Sequence, residues 1–374
     1  MKRKVLFITA TRADFGKMKS LLMELEDHPR LAPHIFITGM HLHEKYGATH
    51  MEVTSCGFKN TYKYINQNQM DTMDAVLAKT VSGLSDFVKE TKPDMIVVHG
   101  DRIEAFAGAI VGSLNNILVS HLEGGELSGT IDELIRHAVT KMSHVHFVAN
   151  SEAQARLLQL GERSESVFVI GSPDLDIMAS SNLPTLESVK KKYEFGYEEY
   201  AIALFHPVTT EVEQLPEHSK VFVDSLMASG DNFIVIYPNN DHGSNIILRE
   251  YQRLHGRDNF RILPSMRFEF FLTLMRNAKY LIGNSSSGIR ETPFYGVPSV
   301  NLGTRQHNRG VSTLIINADL DAPQILRAIE TAKSNRAASS SNFGDGHSTE
   351  RFVRILSDER VWCIPTQKHF VDFL

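Results

Sequence analysis

Residues 283–291, Gly-Asn-Ser-Ser-Ser-Gly-Ile-Arg-Glu, gather the groups that hold a phosphate. They follow the short apolar run 279–282 and lead into the apolar stretch 292–295, an order that reads strand, small-residue turn, helix N-terminus. Such a turn, here carrying Ser285, Ser286 and Gly288, offers backbone N–H groups, hydroxyls and the positive end of a helix dipole. Glu291, one turn into the helix, can accept hydrogen bonds from a ribose diol. A nucleoside diphosphate would satisfy both ends of the turn. A plain helix start capped by Asn284 or Ser285 accounts for the same residues.

A second gathering is acidic. Asp101, Glu123, Glu126, Asp132 and Glu133 occur with Arg102, Arg136, His121 and His137 nearby. Carboxylates crowded out of water repel, and at least one is expected to hold its proton towards neutral pH, giving an acid and a base together. Asp101 and Glu123 lead, because each directly follows an apolar run. The others have an alternative use in capping a helix over 131–142, with Ser128 or Thr130 and Glu133 as a capping box. Gly124 and Gly125 either leave room beside Glu123 for a substrate ring or form a simple tight turn. His206, before Pro207, suits a phosphate donor or a proton carrier, and equally a structural histidine. Arg12, Lys17, Arg267 and Arg305 suit anions, although isolated basic residues ordinarily lie on the surface. The pairs His41/His43 and His144/His146 share a face if extended, as zinc ligands can. No cysteine or HExxH spacing accompanies them, and 143–148 reads as an interior strand with core histidines, so no metal site is expected.

These residues need elements to position them. Short β-branched runs alternate with helical patterns, the signature of parallel sheets with crossover helices. Strands are expected at 4–9, 34–38, 94–99, 117–121, 145–149 and 167–170, with helical spacing over 71–90 and 102–114. The pattern restarts at 200–205, 232–237, 260–263, 280–282 and 299–301. The unusual polar residues fall just after strands: Thr11-Arg12-Ala-Asp14, Gly100-Asp101-Arg102, His121-Leu-Glu123, His206-Pro-Val-Thr209, Pro238-Asn239-Asn240 and Asn284-Ser285. Three such loops from each half would line one cleft at the carboxyl ends of the strands, where open α/β sheets bind ligands. The expected organisation is an N-terminal Rossmann-like domain over 1–174, a linker over 175–198, a C-terminal nucleotide-binding domain over 199–350, and a helical segment over 351–374 packing back across the domains. The Ser-rich stretch 336–346 reads as a surface loop.

A chain of 374 residues exceeds what one core usually supports, so two domains are expected. Its 42% hydrophobic and 22% charged residues are ordinary for a globular protein, and a net charge of −5 argues against nucleic-acid or anionic-membrane binding. Two cysteines, Cys56 and Cys363, make no disulfide framework and fit a reducing cytoplasm. The apolar run 5–8 is too short for a signal peptide, and no window spans a membrane.

Taken together, 100–102, 121–137, 205–211 and 283–291 resemble the UDP-N-acetylglucosamine 2-epimerases. The opening Thr-Arg-Ala-Asp-Phe-Gly-Lys at 11–17 and the Glu-Gly-Gly-Glu stretch look like the hydrolysing branch that makes N-acetylmannosamine for sialic acid synthesis; the other branch typically has Thr-Arg-Pro-Glu there. The resemblance spans residues 4 to about 310. It implies a glycosyltransferase-B-like α/β fold, two Rossmann-like doubly wound parallel-sheet domains facing a deep cleft, with no cofactor and a homodimer or higher oligomer. UDP-N-acetylglucosamine and UDP are the implied ligands. Carried over by position, Asp101, Glu123 and Glu133 match carboxylates implicated in the chemistry, and His206, Ser285, Ser286 and Glu291 match positions that hold the UDP phosphates and ribose. With the reading of the residues, Asp101, Glu123, Glu133 and His206 are the expected catalytic residues. The substrate-binding set is Arg12, Lys17, His41, Arg102, Arg136, Asn239, Arg267, Ser285, Ser286, Gly288, Glu291 and Arg305. Glu133 stands where relatives often carry Asp, one methylene shorter. A paralogue acting on a 2,4-diacetamido-trideoxy sugar and a glycosyltransferase of the same fold are the alternatives.

Overall fold

The computed structural model describes residues 2–68, 71–128, 131–306, 312–335 and 343–372. Thr130, Gly129 and residues 336–342 of the Ser-rich stretch lie outside these. The chain divides into two compact units, one of Met1–Glu126, Asp132–Ser181 and Asn342–Leu374, the other of Leu127–Ile131 and Asn182–Ser341.

The first unit is built on seven strands: β1 (Arg3–Thr9), β2 (Leu31–Ile37), β3 (Thr61–Lys63), β4 (Met95–His99), β5 (Leu118–Leu122), β6 (Val145–Val148) and β7 (Val167–Val169). They pair in parallel in the order β3-β2-β1-β4-β5-β6-β7. The central strands are buried on both faces, which is why β1, β4 and β5 read as continuous apolar runs rather than alternating ones. Helices cover the sheet, among them Arg12–Glu26, Ile103–Leu114 and Ile131–Met142. The last helices, Ser348–Leu356 and Glu359–Trp362, return to this unit. Phe352 is fully buried and packs against Phe147 at 4.8 Å and Phe7 at 6.3 Å. Beyond it, Lys368 donates to Glu162 at 2.5 Å and to the Ser143 carbonyl at 2.6 Å. Burial opposes the charge on Glu162, but the His146 hydrogen bond and two lysines overcome it and hold the carboxyl down at about 2.

The second unit has six parallel strands, β8 (Ala201–Leu204), β9 (Phe233–Ile236), β10 (Phe260–Leu263), β11 (Leu281–Gly283), β12 (Ser299–Leu302) and β13 (Ile315–Ala318), in the order β10-β9-β8-β11-β12-β13. The short edge strands β3 and β13 escape the sequence reading. β3 is a wholly exposed Thr-Tyr-Lys and carries no apolar run to detect.

Each sheet starts at its middle, grows one way and then crosses over to grow the other way. The crossover leaves a crevice at the carboxyl ends of β1 and β4 in the first unit, and of β8 and β11 in the second. Thr11–Asp14 and Gly100–Asp101 flank the first crevice, and His206 and Asn284–Ser286 flank the second. Among the described residues no helix is long and apolar enough to cross a membrane.

Gly283 fixes the second crevice. It adopts φ 141°, and a Cβ there would lie 1.7 Å from the Leu204 carbonyl oxygen. Gly283→Ala is therefore expected to lower the stability of the protein by about 3 kcal/mol, combining backbone strain and overpacking. Urea denaturation checks this; a wild-type midpoint would contradict it.

Candidate active site

In the first unit the site is organised by Arg136. Its helix, Ile131–Met142, turns the guanidinium inward to 2% exposure. Nη2 donates to the Asp101 carboxylate after β4, and Nη1 donates to the Glu123 carbonyl after β5 at 2.5 Å. One cation thus ties together the two carboxylate-bearing loops. Glu123 sits at φ 62°, a left-handed conformation that a non-glycine residue adopts only at a cost. Ser172 Oγ donates to its Oε1. His99 Nε2 lies 3.0 Å from Oε2, off the line of a hydrogen bond. Lys17 Nζ lies 3.6 Å from Oε2 and 3.5 Å from Asp174 Oδ2.

The crowd of mutually repelling carboxylates expected from sequence is instead interleaved with cations. Arg136 meets Asp101, Lys17 meets Glu123 and Asp174, Arg12 meets Glu52 at 2.8 Å, and Arg102 lies 3.6 Å from Glu104. Lys17 and Arg12, read as anion contacts, are in this structure partners of buried acids. Glu133 is 29% exposed and lies 3.1 Å from His137 one turn on, the arrangement of a helix-surface ion pair. Glu126 is buried after the glycine pair, and Asp132 lies at the start of the same helix as Glu133. The two glycines serve packing rather than an open ring pocket: a Cβ on Gly124 would meet His121 Nδ1 at 2.9 Å, and one on Gly125 would meet the Ala153 carbonyl at 2.3 Å.

The histidines sort by their partners. His41 is fully buried, with Nε2 2.9 Å from Thr9 Oγ1 and Nδ1 2.7 Å from Thr49 Oγ1. Burial drives its pKa down to about 4, so it is neutral and props the loop rather than reaching a ligand. Thr9 passes the support on to Asp14, whose carboxylate accepts from Thr9 Oγ1 and from the amides of Ala10 and Thr11 while closing a capping box with Thr11. His121 is likewise buried and lowered to about 3, with Nε2 2.8 Å from the Gly100 carbonyl. His144 accepts from the Val119 amide and donates to the Thr366 carbonyl, and His146 lies 2.9 Å from Glu162. Among the described residues no group of three or more His, Cys, Asp or Glu is placed to hold a metal.

In the second unit the buried Asn284 amide clasps the His206 backbone from both sides: Oδ1 accepts from the His206 N–H at 2.7 Å, and Nδ2 donates to its carbonyl at 2.8 Å. His206 Nδ1 accepts from the Asn239 N–H at 3.0 Å, which makes Nε2 the donor nitrogen of the neutral ring. The helix Ser287–Phe294 starts at Ser286, whose own hydroxyl makes no cap. Ser285 Oγ accepts from the Ser287 N–H at 3.3 Å, and the Gly288 and Ile289 N–H groups donate to the Ser285 and Ser286 carbonyls. Asn284, offered above as a cap, is spent on His206. Arg305 and Gln306 both donate to the Asn284 carbonyl, at 3.2 and 3.1 Å, so Arg305 braces the turn. Ser285 and Glu291 are buried, at 6% and 2% exposure. Gly288 packs on Ser299, where a Cβ would approach Oγ to 2.4 Å. The Asn239 side chain bonds Asp241. Arg267 begins the helix Phe268–Arg276, with its guanidinium 5.6 Å from the Phe270 ring.

Sequence reading overlooked His99, Ser172 and Asp174. The rule that found the other loops applies to them: His99 ends β4, and Gly171-Ser-Pro-Asp174 follows β7.

The family model for UDP-N-acetylglucosamine 2-epimerase matches residues 23–357. The chain is 49% identical over 374 residues to a UDP-N-acetylglucosamine 2-epimerase of Neisseria meningitidis serogroup B, covering 99% of each. It is 32% identical over 363 residues to a UDP-N,N'-diacetylbacillosamine 2-epimerase (hydrolyzing) of Legionella pneumophila, covering 95% of this chain and 96% of that one. Its fold matches the crystal structure of Methanocaldococcus jannaschii UDP-GlcNAc 2-epimerase in complex with UDP-GlcNAc and UDP, with a TM-score of 0.80 at 23% identity, covering 95% of this chain and 99% of that one. The two all-parallel domains are those of a glycosyltransferase-B-like protein, and the chain belongs to the UDP-N-acetylglucosamine 2-epimerase family.

Proposed function

We propose that this protein converts UDP-N-acetylglucosamine and water to N-acetylmannosamine and UDP, the hydrolysing 2-epimerase reaction that supplies sialic acid synthesis. The observation that carries the reading is Arg136, which binds the Asp101 carboxylate after β4 and the Glu123 backbone carbonyl after β5 and so holds the two acid-bearing loops together. C2 of an N-acetylhexosamine is barely acidic, so its proton leaves as UDP departs from C1. A carboxylate takes that proton, and the products of this half are UDP and a 2-acetamidoglucal. Water then adds across the C1–C2 double bond, placing a hydroxyl on C1 and a proton on C2 from the opposite face, with a second carboxylate as acid or base. Asp101 and Glu123 are the leading pair for these steps, with Glu133 third.

The second unit is assigned the nucleotide. His206 Nε2–H and the Ser285–Ser286 turn, at the positive end of the helix that follows, offer donors and a favourable dipole to the pyrophosphate, whose charge grows as it leaves. Glu291 is assigned the ribose.

One relative favours a second reading. The Legionella protein acts, by its name, on a diacetylated bacillosamine nucleotide, which makes a 2,4-diacetamido-trideoxy UDP-sugar the alternative substrate. The closer identity to the Neisseria protein supports N-acetylglucosamine. Incubation with each nucleotide sugar and no acceptor, with release of UDP and free sugar followed by chromatography, separates the two. Faster turnover of the 2,4-diacetamido sugar would reverse the assignment, and no UDP release without an acceptor would favour a transferase.

Asp101→Asn and Glu123→Gln are expected to fold, to bind UDP and to lose at least about a hundredfold in kcat, since general acid–base groups contribute on that scale. Wild-type kcat in both would remove the carboxylates from the chemistry. His206→Ala and Ser286→Ala are expected to weaken UDP binding by about 1–3 kcal/mol each, the cost of a charge-assisted hydrogen bond. Calorimetric affinity equal to wild type would contradict the nucleotide assignment.

A further inference from the structure

Lys17 Nζ lies within 4 Å of the Glu123 carboxylate, and the same Nζ stands as close to Asp174 as to Glu123. All three side chains are nearly shut off from solvent, at 11%, 2% and 4% exposure for Lys17, Asp174 and Glu123. A lone Lys–Glu pair in such surroundings would hold the glutamate firmly ionised. Two carboxylates that share one ammonium behave differently: the second acid draws the cation away and adds a like charge, and both effects favour a proton on the first.

We infer that Lys17 and Asp174 are a tuning pair that sets the proton affinity of Glu123, with Lys17 pulling it down and Asp174 pushing it up. This rests on the catalytic place proposed for Glu123. It gives Lys17 a role other than phosphate contact and gives Asp174 a role in the reaction.

The other groups facing Glu123 are fixed by the fold. Ser172 Oγ, from the same turn as Asp174, donates to Oε1 and favours the ionised form. His99 approaches Oε2 from β4. Arg136, from the helix Ile131–Met142, donates to Asp101 and to the Glu123 carbonyl. The tuning pair itself comes from two further elements, the helix Arg12–Glu26 and the turn after β7. Neither is near the other in sequence, and the fold brings both to one ammonium beside Glu123.

The test is the titration of the Glu123 carboxyl in the ligand-free protein, followed by carbon NMR with labelled glutamate and assigned by the signal lost in Glu123→Gln. Asp174→Asn is expected to lower the midpoint by about one unit, and Lys17→Met to raise it by about one unit or more, as charges at this range do. Lys17→Arg is expected to return it towards wild type. Midpoints that stay put, or that move in the same direction in Asp174→Asn and Lys17→Met, would overturn the inference. If Lys17→Met does not fold, Asp174→Asn decides the matter by itself: a lowered midpoint upholds the pair, and an unmoved or raised one overturns it. Ser172→Ala, which removes a donor outside the pair, is expected to raise the midpoint whatever the pair does. In turnover, the limb of the kcat/KM profile governed by Glu123 is expected to move with the midpoint, a response that a purely structural role would not give. Opposed shifts in a protein that does not turn over UDP-N-acetylglucosamine would overturn the substrate assignment and leave the tuning pair standing.

Discussion

A guanidinium cannot shed its proton at any pH the protein meets, so a buried arginine obliges the surrounding chain to bring it acceptors. Arg136 is such a group. It leaves its helix to reach a carboxylate after one strand and a carbonyl after the next, and both loops are held by that obligation. Removing the Asp101 side chain outright would leave the buried charge without compensation, which costs several kcal/mol, whereas Asp101→Asn keeps an oxygen there to accept. The positions of Asp101 and Glu123 follow from that requirement as much as from any demand of substrate. The strained backbone at Glu123 persists because Arg136 holds its carbonyl while Ser172 holds its side chain.

The second unit meets an analogous problem with neutral groups. An extended strand end has an N–H and a carbonyl with no ladder partner, and the Asn284 amide satisfies both for His206. With Asn284 thereby occupied and its carbonyl braced by Arg305 and Gln306, the first N–H of the helix that follows donates to Ser285 Oγ instead. The positive end of that helix's dipole still favours an anion at the turn. The imidazole tautomer is fixed in the same network, through the Asn239 amide.

Much of this was legible in the sequence because parallel sheets place every post-strand loop at one edge. Apolar runs located eleven of the thirteen strands found among the described residues, and polar residues just after them flank both crevices. What the sequence could not show was pairing. Lys17, Arg12 and Arg305 carry the same charge whether they meet a phosphate, an acid or a carbonyl, and only the packed chain brings Asp174 to Lys17 or Glu52 to Arg12. His41 looked available for a ligand because burial of a polar residue depends on partners distant in sequence, here Thr9 and Thr49. Gly124 and Gly125 were legible as required glycines, but what crowds them, the His121 ring and the Ala153 carbonyl, was not. Family resemblance supplied the substrate class, which no spacing or periodicity contains.

The central claim is that a carboxylate fixed by Arg136 removes the C2 proton while UDP leaves and water takes its place. Proton NMR of the reaction on UDP-N-acetylglucosamine in deuterated water tests it most directly. The account predicts free N-acetylmannosamine carrying deuterium at C2, together with UDP. Retention of protium at C2, or a C2 epimer still joined to UDP, would contradict it.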